Sequence, residues 1–374
     1  MSEESEAAVR GYEDGPVAPS ARAAMSSAPG PMRLPWNPVF RFYKGGDGID
    51  QFRQLEPGTG PGAPEDWVGS TTTSFGSDTE GLAKLEDGRM LRDVIAADPI
   101  AFLGAEHVAA LGTNPGVLVK LLDAGERLAV HFHPGREFAK EHLHSDFGKT
   151  EAWLILAAEP DAHMHLGLRE SIDPETLSRW VSEQDSAEML SALNRVPVKA
   201  GDSLFVPAGT LHTIGEGITL IELQEPSDMS VVIEWRYAGV DQDEATLQLG
   251  WQTILPPADL EAGVPIHIPA DPVPPATSTQ RRLLPPEADA YFRAQLLTIH
   301  ESDPLSLQPQ FSIVIGTDGT LTLATDGAHE PLTLTQGQAA LIPHGAGITT
   351  VSGAGSAIRC LPPAMETETG AAAW

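Results

Sequence analysis

The chain has a single cysteine, Cys360, in 374 residues. One thiol excludes an internal disulfide framework, and it excludes a thiolate metal knot as well. Basic side chains are scarce: 23 Lys and Arg stand against 52 Asp and Glu, for a formal charge of −29. A field of that sign repels phosphate backbones and anionic lipid, so neither nucleic acid nor a membrane surface is expected as a partner. The acidity itself reads most simply as solubility. No apolar run approaches the ~18 residues that a membrane span needs. The start, Met1-Ser-Glu-Glu-Ser-Glu6, lacks a basic stretch and an apolar one. It does not read as a secretory signal, and the cytoplasm is the expected compartment. What remains is a globular composition, 41% hydrophobic, in a chain long enough for two modules.

Residues 1–31, rich in Ala, Ser, Pro, Gly and Glu, read as a disordered tail, with Met25 an alternative start. From Leu34 to Trp67 aromatics alternate with Gly and Pro, which suits short strands and loops. Leu91–Leu103 has helical spacing broken at Pro99. Strands are expected over Val117–Asp123, Thr150–Leu156, Ala162–Leu168, Ser203–Val206, Ile218–Gln224 and Ser230–Tyr237. A short helix is expected over Phe138–His144. Asp173-Pro174 opens a helical insertion, about 173–193, with a capping side chain and a proline in the first turn. Residues 255–286 are crowded with proline and read as an extended connector. Further strands follow at Gln295–Ile299, Phe311–Gly316, Thr320–Ala324, Glu330–Thr333, Ala339–Ile342 and Ser356–Cys360. Many short strands with Gly and Pro turns predict a mainly β chain, built as an antiparallel barrel or sandwich.

One spacing occurs twice. Gly201-x5-Pro207-x-Gly209-x2-His212 is matched by Gly337-x5-Pro343-x-Gly345-x2-Ile348. Glycine turns the chain, five residues cross a sheet, and Pro-x-Gly turns it back. Two related β-modules are expected, spanning 32–254 and 287–364 with a flexible tail over 365–374. In the second, the terminal histidine has become apolar.

The chain is organised around Gly125–Glu137, which reads as a strand. Residues two apart on a strand share a face, so Ala129, His131 and His133 lie together, with Leu128, Val130 and Phe132 opposite. Two imidazoles on one face form half of a metal site. His212 supplies a third from a distant, patterned position. The fourth ligand is contested between Glu137 and Glu151, the latter entering a buried strand beside Lys149, where a carboxylate is costly unless paired or metal-bound. The other His-x-His pairs have no partner motif. His142 and His144 read as solvated, and His163 and His165 as structural.

Gly125-x5-His131-x-His133-x3-Glu137, followed by Gly201-x5-Pro207-x-Gly209-x2-His212, resembles the two motifs of the cupin superfamily. A narrower set resembles the type I mannose-6-phosphate isomerases: Leu118-Val-Lys120-Leu-Leu-Asp123, Leu128-Ala-Val-His131-Phe-His133-Pro134, Gly148-Lys149-Thr150-Glu151, Pro207-Ala-Gly-Thr-Leu-His212-Thr-Ile-Gly-Glu216-Gly, and Glu222-Leu-Gln-Glu-Pro-Ser227-Asp228. The likeness is specific over about 115–230. It implies two cupin-like β-barrel (jelly-roll) modules, the second metal-free. It implies zinc, or another divalent ion such as iron or manganese, on His131, His133, Glu151 and His212, with Glu137 left as a helix-start carboxylate. It also implies Glu222 as catalytic base, Lys149 as a proton-handling residue, Lys120 and Glu216 as substrate-binding residues, and a sugar or sugar phosphate as substrate. A monomer or homodimer is expected.

Departures from that family are specific too. Val232 stands where the family has an arginine, Ala129 where it has a serine, and His131 where it has a glutamine. Losing an arginine and a hydroxyl removes strong anion donors. Three functions therefore stand together: an isomerase of mannose 6-phosphate or an unphosphorylated aldose, a non-catalytic sugar-binding cupin, and an iron-dependent cupin oxygenase.

Overall fold

The stretch Ile218–Gln224, Ile-Thr-Leu-Ile-Glu-Leu-Gln, is apolar on both of its alternating faces, so both need cover. The computed structural model describes residues 29–56, 60, 62–271, 275–327 and 329–365. In it every residue of this strand is buried. The strand lies inside a seven-stranded antiparallel sheet, ordered Ile266–Ile268, Ser203–Val206, Glu151–Ala158, Ile218–Gln224, Leu118–Ala124, Glu65–Trp67, Pro38–Val39.

One face of this sheet carries Val119, Leu121, Ala152, Leu154, Ile221 and Leu223. They pack with Ile313, Ile315, Leu341 and Cys360 of an eight-stranded sheet in the C-terminal half. The other face carries Leu122, Trp153, Ile155 and Leu220. They meet Met164 and Leu166 of a five-stranded sheet, whose strands are Val231–Val232, His131–Phe132, His212–Thr213, His163–Leu168 and Leu193–Pro197. Helices Pro174–Glu183 and Ser186–Ala192 close the outer side of that sheet through Leu177, Trp180 and Met189, which pack with Phe132 and Val231. Burying each such side chain contributes about 1.5–3 kcal/mol, and this fixes the central sheet as the middle layer.

The chain is mainly β and antiparallel, as expected, but among the described residues no sheet closes on itself. The seven-stranded sheet ends in strands of three and two residues at opposite edges, too short to pair into a ring. Strand Met32–Leu34 pairs with Ala339–Leu341, so residues far apart in sequence share one ladder.

Several elements differ from expectation. Only His131–Phe132 of the long histidine stretch sits in a ladder, and Leu128 joins the inner cluster rather than packing with Val130 and Phe132. The expected strand Ser230–Tyr237 is two residues of strand, Val231–Val232, followed by a helix, Trp235–Ala238. Its aliphatic run is dictated by burial, not by sheet length. The proline-rich connector contains two paired strands, Ile266–Ile268 and Thr279–Arg282. Phe311–Gly316 and Thr320–Ala324 merge into one bulged strand, Ser312–Thr325. Helices Gly48–Phe52 and Ala105–Leu111 were not expected. Of the expected tails, 1–28 and 366–374 lie outside the described residues.

Other expectations hold at the level of single turns. Asp173 caps its helix, accepting from Thr176 N at 2.7 Å. Gly201 and Gly337 both adopt positive φ, 88° and 77°, where a side chain would be strained, and a four-residue strand follows each. The two copies end differently: His212 is fully buried, whereas Ile348 is 43% exposed. The second copy therefore does not replace the histidine with an interior apolar group.

Candidate metal centre

His131 and His212 are direct partners across antiparallel strands, and His133 follows two residues on. Their ring centroids stand 4.1, 4.9 and 5.0 Å apart, and one ligand atom from each lies within 4.8 Å of the others. Each Nδ1 faces a backbone carbonyl: Ala129 at 2.8 Å, Met229 at 2.7 Å and Thr210 at 2.8 Å for His131, His133 and His212. A carbonyl only accepts, so each Nδ1 carries the hydrogen and each Nε2 keeps its lone pair. Outer bonds of this kind fix the tautomer and ring orientation of metal-ligating histidines. Burial, with neighbouring His212, His133 and Lys149, pushes His131 well below its ordinary value. Burial and Lys149 push His133 down to about 3. Both imidazoles are thus neutral and ligand-competent near pH 7.

Glu151, 1% exposed, opens its strand in the facing sheet. Its carboxylate lies 3.1 Å from His133 Nε2 and 3.2 Å from His212 Nε2. With hydrogen on Nδ1, both contacts bring acceptors together; the Lys149 ammonium stands beside the one at His133, whereas His212 Nε2 makes no hydrogen bond among the described residues. A buried acceptor facing an acceptor is unfavourable unless a cation lies between them. The donor set therefore fits a divalent ion: three imidazoles and one carboxylate suit zinc, and iron or manganese are compatible by ligand type. Burial raises the Glu151 carboxyl, but Lys149 and His133 outweigh it and hold it well below the usual carboxylate range. Lys149 Nζ sits 3.0 Å from Glu151 and donates to His133 Nε2 at 3.0 Å. Glu137 is exposed in the first turn of helix Arg136–Leu143.

Beside this cluster, Glu222 stands in register with Lys120 on one neighbouring strand and Trp153 on the other. Lys120 Nζ is 3.3 Å from Glu222, 3.5 Å from Glu65 and 4.8 Å above the Trp67 ring. Lys149 Nζ is 3.9 Å from Glu222. Burial raises the Glu222 carboxyl; Lys120 opposes this and the charge of Glu151 adds to it. Two neighbouring carboxyls pushed in opposite directions are the arrangement that separates acid from base roles.

Sequence reasoning missed the wall behind Lys120. Tyr43 Oη donates to Glu65 at 2.5 Å and Trp67 Nε1 donates to it at 2.6 Å. Burial raises Glu65, but Lys120 and Arg41 outweigh it, so it stays ionised. Arg41 grips Asp228 through two hydrogen bonds, 2.9 and 3.2 Å, and Phe75 N donates to the same carboxylate at 3.1 Å. The available signal was Glu65-Asp66-Trp67, a carboxylate two residues from a buried indole and so on its face of the strand. Ala129 and Val232, both buried, form the apolar side of the cavity that Lys120, Lys149 and Glu222 also line.

Glu216 is not brought here. It is exposed and lines a different cavity, with Asp123 and Glu159. His163 and His165 do share a face, with ring centroids 5.1 Å apart, and no third ligand joins them among the described residues. Arg236 lies on helix Trp235–Ala238, not further along a strand.

No family model matches the chain. A mannose-6-phosphate isomerase of Streptococcus mutans is 37% identical over 134 residues, which is 35% of this chain and 41% of that protein. The chain thus matches about two fifths of this curated relative's length. Among solved structures, the mannose 6-phosphate isomerase from Bacillus subtilis superposes with a TM-score of 0.70 at 20% identity, over 89% of this chain and 99% of that one. A mannose 6-phosphate isomerase bound with zinc and yttrium has a TM-score of 0.64 at 17% identity, over 90% of this chain and 100% of that one. These likenesses, of sequence over part of the chain and of fold over nearly all of it, bear out the resemblance to the type I mannose-6-phosphate isomerases that the histidine motifs carry.

Proposed function

We propose that the chain is a metal-dependent aldose–ketose isomerase that interconverts mannose 6-phosphate and fructose 6-phosphate, or a closely related sugar pair. One observation carries this reading: three inward-facing Nε2 lone pairs and the Glu151 carboxylate converge beside a second buried carboxylate, Glu222, that two lysines flank. His131, His133, Glu151 and His212 would hold the ion, zinc in this reading. A bound divalent ion supplies Lewis-acid polarisation of the sugar's carbonyl and hydroxyl oxygens.

The chain's own residues handle the protons. Glu222, its proton affinity raised by burial, takes the proton from C2 of the aldose, leaving an enediol, and returns it to C1. The O2 hydroxyl proton passes to O1 through Lys149, so both side chains end as they began. Lys120 holds Glu222 in place. The strand pairing Val232–His131 and the buried inner sheet keep this geometry and exclude water.

A second reading, an unphosphorylated aldose as substrate, is favoured by the apolar side made by Ala129 and Val232. It is also favoured because Arg41, Lys120 and Lys149 each already stand against carboxylates. We also infer a catalytic module over 32–254, a connector over 255–286, a metal-free cupin-like module over 287–364, and a cytoplasmic location. The test is metal analysis of the purified protein, coupled to turnover of mannose 6-phosphate beside free mannose and lyxose. Zinc with turnover supports the isomerase, and its substrate preference separates the two readings. A metal-loaded protein inactive on every aldose overturns it. Glu222→Gln should keep the metal and lose turnover.

A further inference from the structure

A second cavity, of about 800 Å³, opens between helix Pro174–Glu183 and the segment 235–260. Its walls are Leu177, Val181, Trp235, Trp251, Leu255 and Leu260. Both indole N–H groups are already used: Trp251 Nε1 donates to Gln242 Oε1 at 2.8 Å and Trp235 Nε1 to the Val181 carbonyl at 3.2 Å. The indoles therefore present ring faces rather than donors, and the polar groups on the lining are Ser178, Ser182, Gln242, Gln252 and Arg236.

One charge stands at its lip. The Arg236 guanidinium lies 4.9 Å over the Trp235 ring and forms no ion pair among the described residues. It is an anion donor at the mouth of an apolar hollow. The volume falls within the range of about 300–1,000 Å³ that small-molecule sites occupy.

We propose that this cavity is a second ligand site, one that takes a small organic monoanion with an aromatic or branched apolar body. The body packs between Trp235 and Trp251, and the anionic group meets Arg236. The site sits behind the metal strands: Trp235 and Trp251 pack on Ala129 and Val232, and Val232 is the strand partner of His131. The inference does not depend on which sugar, if any, the metal centre turns over.

The test is fluorescence titration of the metal-loaded full chain with 8-anilinonaphthalene-1-sulfonate, with N-phenyl-1-naphthylamine as the uncharged counterpart. The sulfonate should bind saturably at one site per chain. A charge-assisted hydrogen bond is worth about 1.5–3 kcal/mol, so Arg236→Gln should weaken binding at least about tenfold, as should loss of the probe's charge. Val181→Trp fills the cavity and should abolish binding. If that variant melts early, Ser178→Trp, from an exposed position on the same lip, replaces it. Non-saturable binding overturns the proposal. So does a saturable site that neither cavity-filling variant removes, or one indifferent to both Arg236 and the probe's charge.

Discussion

Lys120 is 1% exposed, and its ammonium lies 3.3 Å from Glu222 and 3.5 Å from Glu65. Lys120→Met keeps the aliphatic stem over Trp67 and removes the charge. At an effective dielectric of about 20, each contact is worth about 5 kcal/mol of Coulomb energy before desolvation. Desolvating the lysine offsets much of that, and removing one partner of a buried pair typically costs about 3–5 kcal/mol. For a chain of this size that corresponds to about 4–7 °C in Tm if unfolding is cooperative. The penalty must depend on pH in a definite direction. In the parent protein Glu65 is held below its ordinary value, so its stabilising contribution is present above the unfolded carboxylate pKa and lost as pH falls through the folded one. In the variant, Glu65 loses its cation and rises above its unfolded value, and Glu222, already raised in the parent, rises further. That destabilises only above about pH 4, where the unfolded carboxyls ionise. Both effects close the gap at low pH. The assay is thermal unfolding of parent and variant, metal-loaded and metal-stripped, from pH 4 to 8. A gap below about 1 kcal/mol at pH 8, or one equally wide at pH 4, refutes the reasoning. Adding Glu65→Gln to the variant should recover part of the loss.

His133→Ala and His212→Ala should each purify without stoichiometric metal, measured by elemental analysis; a fully loaded His212→Ala protein would sink the ligand assignment. Metal-free protein should lose stability as pH falls from about 6.5, because His131 and His133 are depressed when folded and accept protons first in the unfolded chain. His133 completes that window near its value of about 3, and denaturant titrations at several pH values would show whether stability is instead flat between pH 6.5 and 4. Gly125→Ala should lower the melting temperature sharply, since its Cβ would lie 2.4 Å from the Gly45 backbone carbonyl, which cannot swing away; an unchanged melt would refute that close approach.

The metal cluster was legible because its geometry is local. His131 and His133 are two apart, and Pro-x-Gly turns bring His212 onto the neighbouring strand. The tautomers were not, since the carbonyls of Ala129, Met229 and Thr210 become acceptors only after folding. Glu222 was legible as a charge inside an apolar strand, and Glu151 as an acid opening one. Glu65 and Arg41 were not, since their importance comes from Lys120 and Asp228, which are distant in sequence. Glu216 was carried by its motif alone, and a turn points it elsewhere. Strand lengths failed where pairing ended early, as after Val232, or ran on through a bulge, as in Ser312–Thr325.

The ladder between Met32 and Leu341 sets a timetable for birth. Chains leave the ribosome at about 5–20 residues per second, so the first strand waits roughly 15–60 s for its partner. During that interval an unpaired edge is open to neighbours on the same polysome. The nascent chain is then most exposed to misassembly before its last third emerges, and a holdase that shields its early residues would raise yield more than one acting on the finished protein.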